Sequence, residues 1–193
     1  MDGILLAEAL MRTGGAAILG FVALMFALSR RHGVKENAVI AVSVLGAISM
    51  LAGAFETVMP ERPGLVAAMR IAGSLYTLAF WILALALFDY RFRFRWLYLL
   101  PGLPILLGWA LPGEGLVAQA VRVILMGHVV IIALRDWEGE LVDPCRRFRL
   151  AICTLVPFAV ASSLVSNLAF DDSALAGLFN SVKLVAIALL FAA

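Results

Sequence analysis

Charged residues are scarce in this sequence. Only 15% of its 193 residues are charged and 64% are hydrophobic, whereas soluble domains hold about 25% charged and about 45–50% apolar residues. The mean hydropathy is +1.03. This shortage of charge excludes a soluble globular domain, and the composition predicts an integral membrane protein.

Cysteines are also few, and the sequence lacks a signal-peptide pattern. The two cysteines, Cys145 and Cys153, form no disulfide framework and belong to no metal-binding pattern. No basic region precedes the first apolar run, which merges into a full-length span, so we expect no cleavable signal peptide. Low-complexity segments and clear internal repeats are also missing from the sequence.

Seven apolar segments are separated by short turn-like stretches. A membrane-spanning helix needs about 20 mostly apolar residues, and the segments that meet or approach this length are 5–28, 38–57, 65–88, 96–111, 116–134, 148–169 and 174–193. The fourth is short and contains Pro101 and Pro104, which neighbouring helices can accommodate. The sequence therefore predicts an all-α membrane protein, a single domain over residues 1–193 built as a seven-transmembrane-helix bundle.

The distribution of basic residues predicts the orientation of this bundle. Short cytoplasmic loops carry an excess of Lys and Arg. The first, third and fifth loops hold Arg30, Arg31, Lys35, Arg91, Arg93, Arg95, Arg135, Arg146 and Arg147. The other three loops hold only Arg62. We therefore expect the N-terminus outside and the C-terminus in the cytoplasm.

With this orientation, the polar residues of six spans lie in the outer half of the membrane, and the inner halves are apolar. Unpaired polar groups are costly in hydrocarbon, so they should face one another or a wet cavity. The sequence predicts an outward-facing pocket whose ligand-binding residues are Arg12, Glu56, Arg70, Ser74, Arg122, Ser166, Asn180 and Lys183. Its floor is predicted to hold Tyr76, Trp81 and Met126, which suit an apolar tail.

The charges of this pocket predict an anionic ligand. Arg12, Arg70, Arg122 and Lys183 outnumber Glu8 and Glu56, and a buried excess of positive charge needs an anion. A carboxylate or a lipid head group fits, and Glu8 and Glu56 are the predicted partners of Lys183, the deepest cation. The alternative is structural: Glu8 and Arg12 pair at i, i+4, and the arginines reach out to the head groups.

Several function classes conflict with these residues. Polar groups do not run through the full thickness, which disfavours a transporter or channel. No nucleophile with a base and no ligand set for a metal or cofactor is evident, so an enzyme is not expected. A retinal protein with Lys183 as the Schiff base would also bring a carboxylate on the third span, where this chain has Arg70. A sensor module remains, with a stand-alone lipid-binding or assembly subunit as the alternative.

Two motifs carry a resemblance to a known family. The stretch FWILALALFDYRFRFRW at residues 80–96 resembles the third helix and following turn of the N-terminal multi-pass region of membrane-embedded AraC-type bacterial transcription regulators. Their Phe-Asp-Asp-Arg-Phe-like turn matches Phe88, Asp89, Arg91 and Phe92, with Tyr90 in place of the second acid. The stretch RDWEGELVDPCRRFRLAI at residues 135–152 is similar to the family's Asp-Leu-Val-x-x-Arg-Arg-x-x-Arg loop; Leu141, Val142, Arg146, Arg147 and Arg149 match, and Glu140 replaces the aspartate.

The resemblance implies a bacterial inner-membrane location and a cytoplasmic helix-turn-helix domain after the last span. The final run ends at Ala193 without a polar flank, and we expect the native chain to continue into such a domain. The expected partners are membrane lipids, an anionic small molecule of unknown identity, DNA through the missing domain only, and a second copy in a homodimer. A ligand bridging Arg70, Arg122 and Lys183 would favour one packing of the bundle, and the last span would carry the change inward.

Overall fold

The computed structural model describes residues 3–29, 33–58, 61–89, 92–108 and 115–135, together with Arg149 and residues 152–154 and 156–157. These residues form helices and short connections, and no strand occurs among them. The α-helices are α1 (Gly3–Leu28), α2 (Val34–Val58), α3 (Pro63–Ser74), α4 (Tyr76–Phe88), α5 (Gly102–Leu107) and α6 (Gly115–Arg135). A 3₁₀ helix, Trp96–Leu99, precedes α5.

Four helical segments of the described residues are long and apolar enough to cross a membrane: Leu6–Leu28, Val34–Glu56, Pro63–Phe88 and Val117–Arg135. They correspond to the predicted spans 5–28, 38–57, 65–88 and 116–134. The all-α class is therefore confirmed in the described part of the chain, and the four segments indicate a membrane protein. The count of seven and the orientation stay predictions, since 174–193 lies outside the described residues and 148–169 is described at only a few positions.

Residues 96–111, the predicted fourth span, differ in local structure from the four segments that are long enough to cross a membrane. Trp96–Leu99 forms the 3₁₀ helix, Pro101 occupies the position before α5, and the described apolar stretch is Trp96–Leu107. Two prolines without N–H donors at positions 101 and 104 explain why the α-helix begins only at Gly102. This stretch is about 18 Å long at 1.5 Å per residue, against about 30 Å of hydrocarbon.

The third span is interrupted at Leu75, between α3 and α4. The Leu75 N–H donates to the Ala72 carbonyl at 3.2 Å, a bond of the 3₁₀ type. The Ser74 hydroxyl donates to the Ile71 carbonyl at 2.6 Å. Breaks in long helices commonly occur at Gly–Ser pairs, and Gly73 and Ser74 form such a pair here. The side-chain bond satisfies a carbonyl that would otherwise be left without a donor at the break.

Helix α4 lies at the centre of the described bundle. It packs against α2 and α6, while α2 also packs against α1 and α3, and α5 packs against α6. All nine residues from Leu78 to Ala86 are buried, which is expected for a helix that is apolar on every side. Two glycines permit close packing of α2. Ser49 contacts α3 at Gly73, and Leu19 and Tyr76 approach Gly46.

Candidate anion-binding site

Arg12 and Glu8 form a buried ion pair on α1. Arg12 Nη2 lies 2.6 Å from Glu8 Oε1, and the two side chains are 15% and 8% exposed. The guanidinium fits over Gly53 of α2, where an added Cβ would lie 1.7 Å from Arg12 Nη1. This is the i, i+4 pairing expected by the structural alternative to a ligand pocket. Arg12 is therefore enclosed between α1 and α2.

A second ion pair joins two helices. Arg70 of α3 contacts Glu56 of α2, and about half of each side chain is exposed. Two of the three arginines predicted for the pocket therefore have carboxylate partners of their own. Lys183 lies outside the described residues, so its predicted pairing with Glu8 or Glu56 stays a prediction. Both carboxylates already contact an arginine.

Arg122 differs from the other two arginines. On α6 the buried residues Ala118, Leu125, Val129 and Ala133 recur at intervals of seven or four positions. Arg122 lies four residues after Ala118 and three before Leu125, so it belongs to the same inward-facing stripe. Its Nε is enclosed and makes no hydrogen bond. Among the described residues it has no ion-pair partner either.

The predicted floor residues are brought together. Trp81 belongs to the main apolar core, and Tyr76 and Met126 pack against that core from α4 and α6. Trp81 Nε1 donates to His128 Nδ1 at 2.9 Å, which ties α4 to α6. The sequence analysis did not predict this bond, because no pattern relates two residues 47 positions apart.

Arg149 is a second residue whose role the sequence did not reveal. It matches the positive-inside pattern, yet it is only 1% exposed. Its Nη1 donates to the Ala133 carbonyl in the last turn of α6 at 3.1 Å, and its guanidinium lies 4.8 Å from the centre of the Phe88 ring. Basic groups stabilise helix C-termini, and cations are attracted to aromatic faces. Arg149 therefore holds α4 and α6 together.

The remaining predicted site residues divide into two groups. The Ser74 hydroxyl is bonded to its own helix at Ile71, so its role toward a ligand stays a prediction. Ser166, Asn180 and Lys183 lie outside the described residues. Within the described part, Arg12 pairs with Glu8, Arg70 pairs with Glu56, and the Nε of Arg122 has no hydrogen-bond partner.

Comparisons with protein-family models, with curated proteins and with solved structures find no match to this chain.

Proposed function

We propose that the chain is the membrane-embedded input module of a bacterial transcription regulator, and that it binds a small or amphiphilic anion at Arg122. In this proposal it forms seven spans in the inner membrane, with the N-terminus outside and the C-terminus in the cytoplasm. Lys183 of the last span supplies a second cation to the ligand. A DNA-binding domain beyond Ala193 reads the signal as part of a homodimer.

The observation that carries this proposal is the position of Arg122. An arginine on the inward-facing stripe of a membrane helix is costly unless its charge is compensated. Glu8 and Glu56 already contact Arg12 and Arg70, so Arg122 is the one arginine of the predicted site that has no carboxylate partner among the described residues. A carboxylate or phosphate would satisfy both its charge and its enclosed Nε, because guanidinium binds such groups in a planar, bidentate way.

The surroundings of Arg122 favour a ligand with an apolar tail. Leu125 and Val129 continue its stripe, and Met126 lies on the next position of the same helix. Methionine fills irregular apolar spaces and adapts to different shapes. Trp81 of α4, which donates to His128 of α6, belongs to the same apolar core. A carboxylate at Arg122 would place an attached alkyl chain among these side chains.

Signalling in this proposal is a shift between two packings of the bundle. A ligand shifts such an equilibrium only by its difference in affinity for the two states. Helix α4 contacts both α2 and α6, and the Trp81–His128 bond connects α4 to α6 beyond Arg122. An anion drawn to Arg122 would move α6 against α4, and the change would pass to the last span through Lys183.

The Arg122→Gln variant is expected to bind decanoate about ten- to a hundredfold more weakly, because it loses a charge-assisted hydrogen bond of about 1.5–3 kcal/mol. Decanol, which has the same tail without a charge, should bind both proteins alike. Both affinities are measured by equilibrium binding of the two radiolabelled probes to the full chain in phosphatidylcholine nanodiscs. The amount of probe that dissolves in the lipid is the same for each variant, so it cancels when the variants are compared.

Arg62→Gln is the matched control, because Arg62 is an exposed arginine that does not belong to the predicted site. It should leave the decanoate affinity within about threefold, the scale of an exposed charge. Arg122→Lys keeps the charge and should restore part of the affinity. Equal decanoate binding by Arg122→Gln and the parent chain, or an equal loss of decanoate and decanol binding in Arg122→Gln, would overturn the proposal.

A further inference from the structure

The segment at residues 92–100 exposes several large apolar side chains. Phe94 is 39% exposed, Trp96 81%, Leu97 65% and Leu100 54%. The Phe94 and Trp96 rings contact each other edge to face, with centroids 5.9 Å apart. Exposed side chains of this size mark a surface that is covered by something apolar.

This segment is attached firmly to the bundle at two points. The ring of Phe92 lies 5.2 Å from that of Tyr98, and the ring of Tyr98 lies 5.8 Å from that of Trp81 in the core. Phe92 and Tyr98 are half-buried, whereas the residues between them are exposed. The exposed rings are therefore held in place by their buried neighbours.

Two arginines alternate with these aromatic residues. Arg93 and Arg95 are both exposed, and neither has a carboxylate partner among the described residues. Arg95 has an extended backbone, with φ −129° and ψ 146°. Cations interleaved with exposed rings are complementary to a surface that presents negative charge above a hydrocarbon layer.

We infer that residues 92–100 bind anionic phospholipid, with Phe94, Trp96, Leu97 and Leu100 in the acyl region and Arg93 and Arg95 on the phosphates. Tryptophan prefers the boundary between head groups and hydrocarbon. Clustered Lys and Arg beside a span attract anionic lipids. This interaction surface is separate from Arg122 and does not depend on the proposed function.

The place of the segment in the fold favours lipid over an acidic protein. Helix α4 ends at Phe88 and completes a segment long enough to cross a membrane, so residues that follow within a few positions lie at the bilayer surface. The next apolar helical stretch, Trp96–Leu107, is only 12 residues long. The chain therefore leaves the bilayer after α4 and meets it again within residues 92–100, so Trp96 lies beside the head groups.

The test uses the full chain reconstituted into vesicles that contain equal amounts of phosphatidylglycerol and phosphatidylcholine. After gentle extraction, mass spectrometry gives the ratio of the two lipids that remain bound. The parent chain should retain phosphatidylglycerol in excess. The variant R93Q/R95Q should reduce that preference by about fivefold for each arginine.

The matched control is K35Q/R135Q, which also removes two exposed basic residues, here from the ends of α2 and α6 and away from the aromatic segment. It should keep the preference of the parent chain. An unchanged ratio in R93Q/R95Q would overturn the inference, as would an equal loss in both double variants, since the latter means that only overall charge matters.

A second measurement tests whether Trp96 contacts the lipid. Brominated phospholipids quench tryptophan fluorescence on contact, and the difference between the parent chain and Trp96→Phe isolates this residue from the other three tryptophans. We expect strong quenching of the Trp96 component. Absence of quenching would exclude the lipid as the occupant and would indicate a partner in the aqueous phase.

Discussion

Glu8→Gln is expected to lower the free energy of unfolding by about 3–5 kcal/mol, because it leaves the charge of Arg12 buried without a counter-ion. The substitution keeps the shape of the side chain and removes only its charge. Arg12 cannot easily escape to the surface, since its side chain is 15% exposed and its guanidinium lies over Gly53 between α1 and α2. A titration with sodium dodecyl sulphate that follows tryptophan fluorescence measures the unfolding midpoint.

The double variant E8L/R12M should recover the stability of the parent chain or exceed it. Replacing a whole buried ion pair by apolar residues of similar volume is often neutral or stabilising by about 1–4 kcal/mol. The single variants E8L and R12M and the double variant E8L/R12M together form a cycle that isolates the coupling between Glu8 and Arg12. A loss below about 1 kcal/mol in Glu8→Gln would show that Arg12 finds water or a lipid phosphate, and the pair would then be a surface feature.

Gly73→Ala is expected to destabilise the bundle by about 3 kcal/mol, the upper part of the range for overpacking. An added Cβ at position 73 would lie 2.7 Å from Ser49 Cα and 2.8 Å from Ser49 Cβ. The first of these is a backbone atom of α2, which cannot rotate aside as a side chain could. Either α2 and α3 separate, or the break at Leu75 changes shape.

The matched control for this variant lies on the same helix. Gly64 also belongs to α3, and an added Cβ there would meet nothing within 4 Å. Alanine favours a helix over glycine by up to about 1 kcal/mol, so Gly64→Ala should be neutral or slightly stabilising. The two identical substitutions are thus expected to have opposite signs in the same unfolding measurement. Equal effects would mean that the contact between Ser49 and Gly73 does not limit the packing.

The long apolar runs of the sequence were sufficient to predict four of the spans with bounds close to those of the structure. Hydrocarbon offers no hydrogen bonds, so a run of about 20 apolar residues must form a helix whatever its neighbours are. The same argument was weaker for 96–111, where Pro101 and Pro104 remove donors and the described helices are short. The break at Leu75 was not predicted, because Gly73 and Ser74 also occur in continuous helices.

The two ion pairs differ in how far the sequence could predict them. Glu8 and Arg12 are four residues apart on one helix, so their pairing follows from helical geometry alone. Glu56 and Arg70 lie on different helices, and their contact depends on how α2 and α3 cross. Because the sequence could not assign these partners, it counted four cations as available to a ligand. In the described part of the chain, pairing leaves Arg122 as the strongest candidate.

The sequence by itself determined that this is a helical membrane protein, approximately where α1, α2 and α6 begin and end, and which polar residues the helices carry. These properties depend on hydrophobicity and on contacts within one turn of helix. The tertiary structure decided which charges neutralise each other, that Arg149 joins Phe88 to the end of α6, and that Trp81 reaches His128. Those contacts depend on the rotation and crossing of helices, which are set by side-chain packing between segments far apart in the chain.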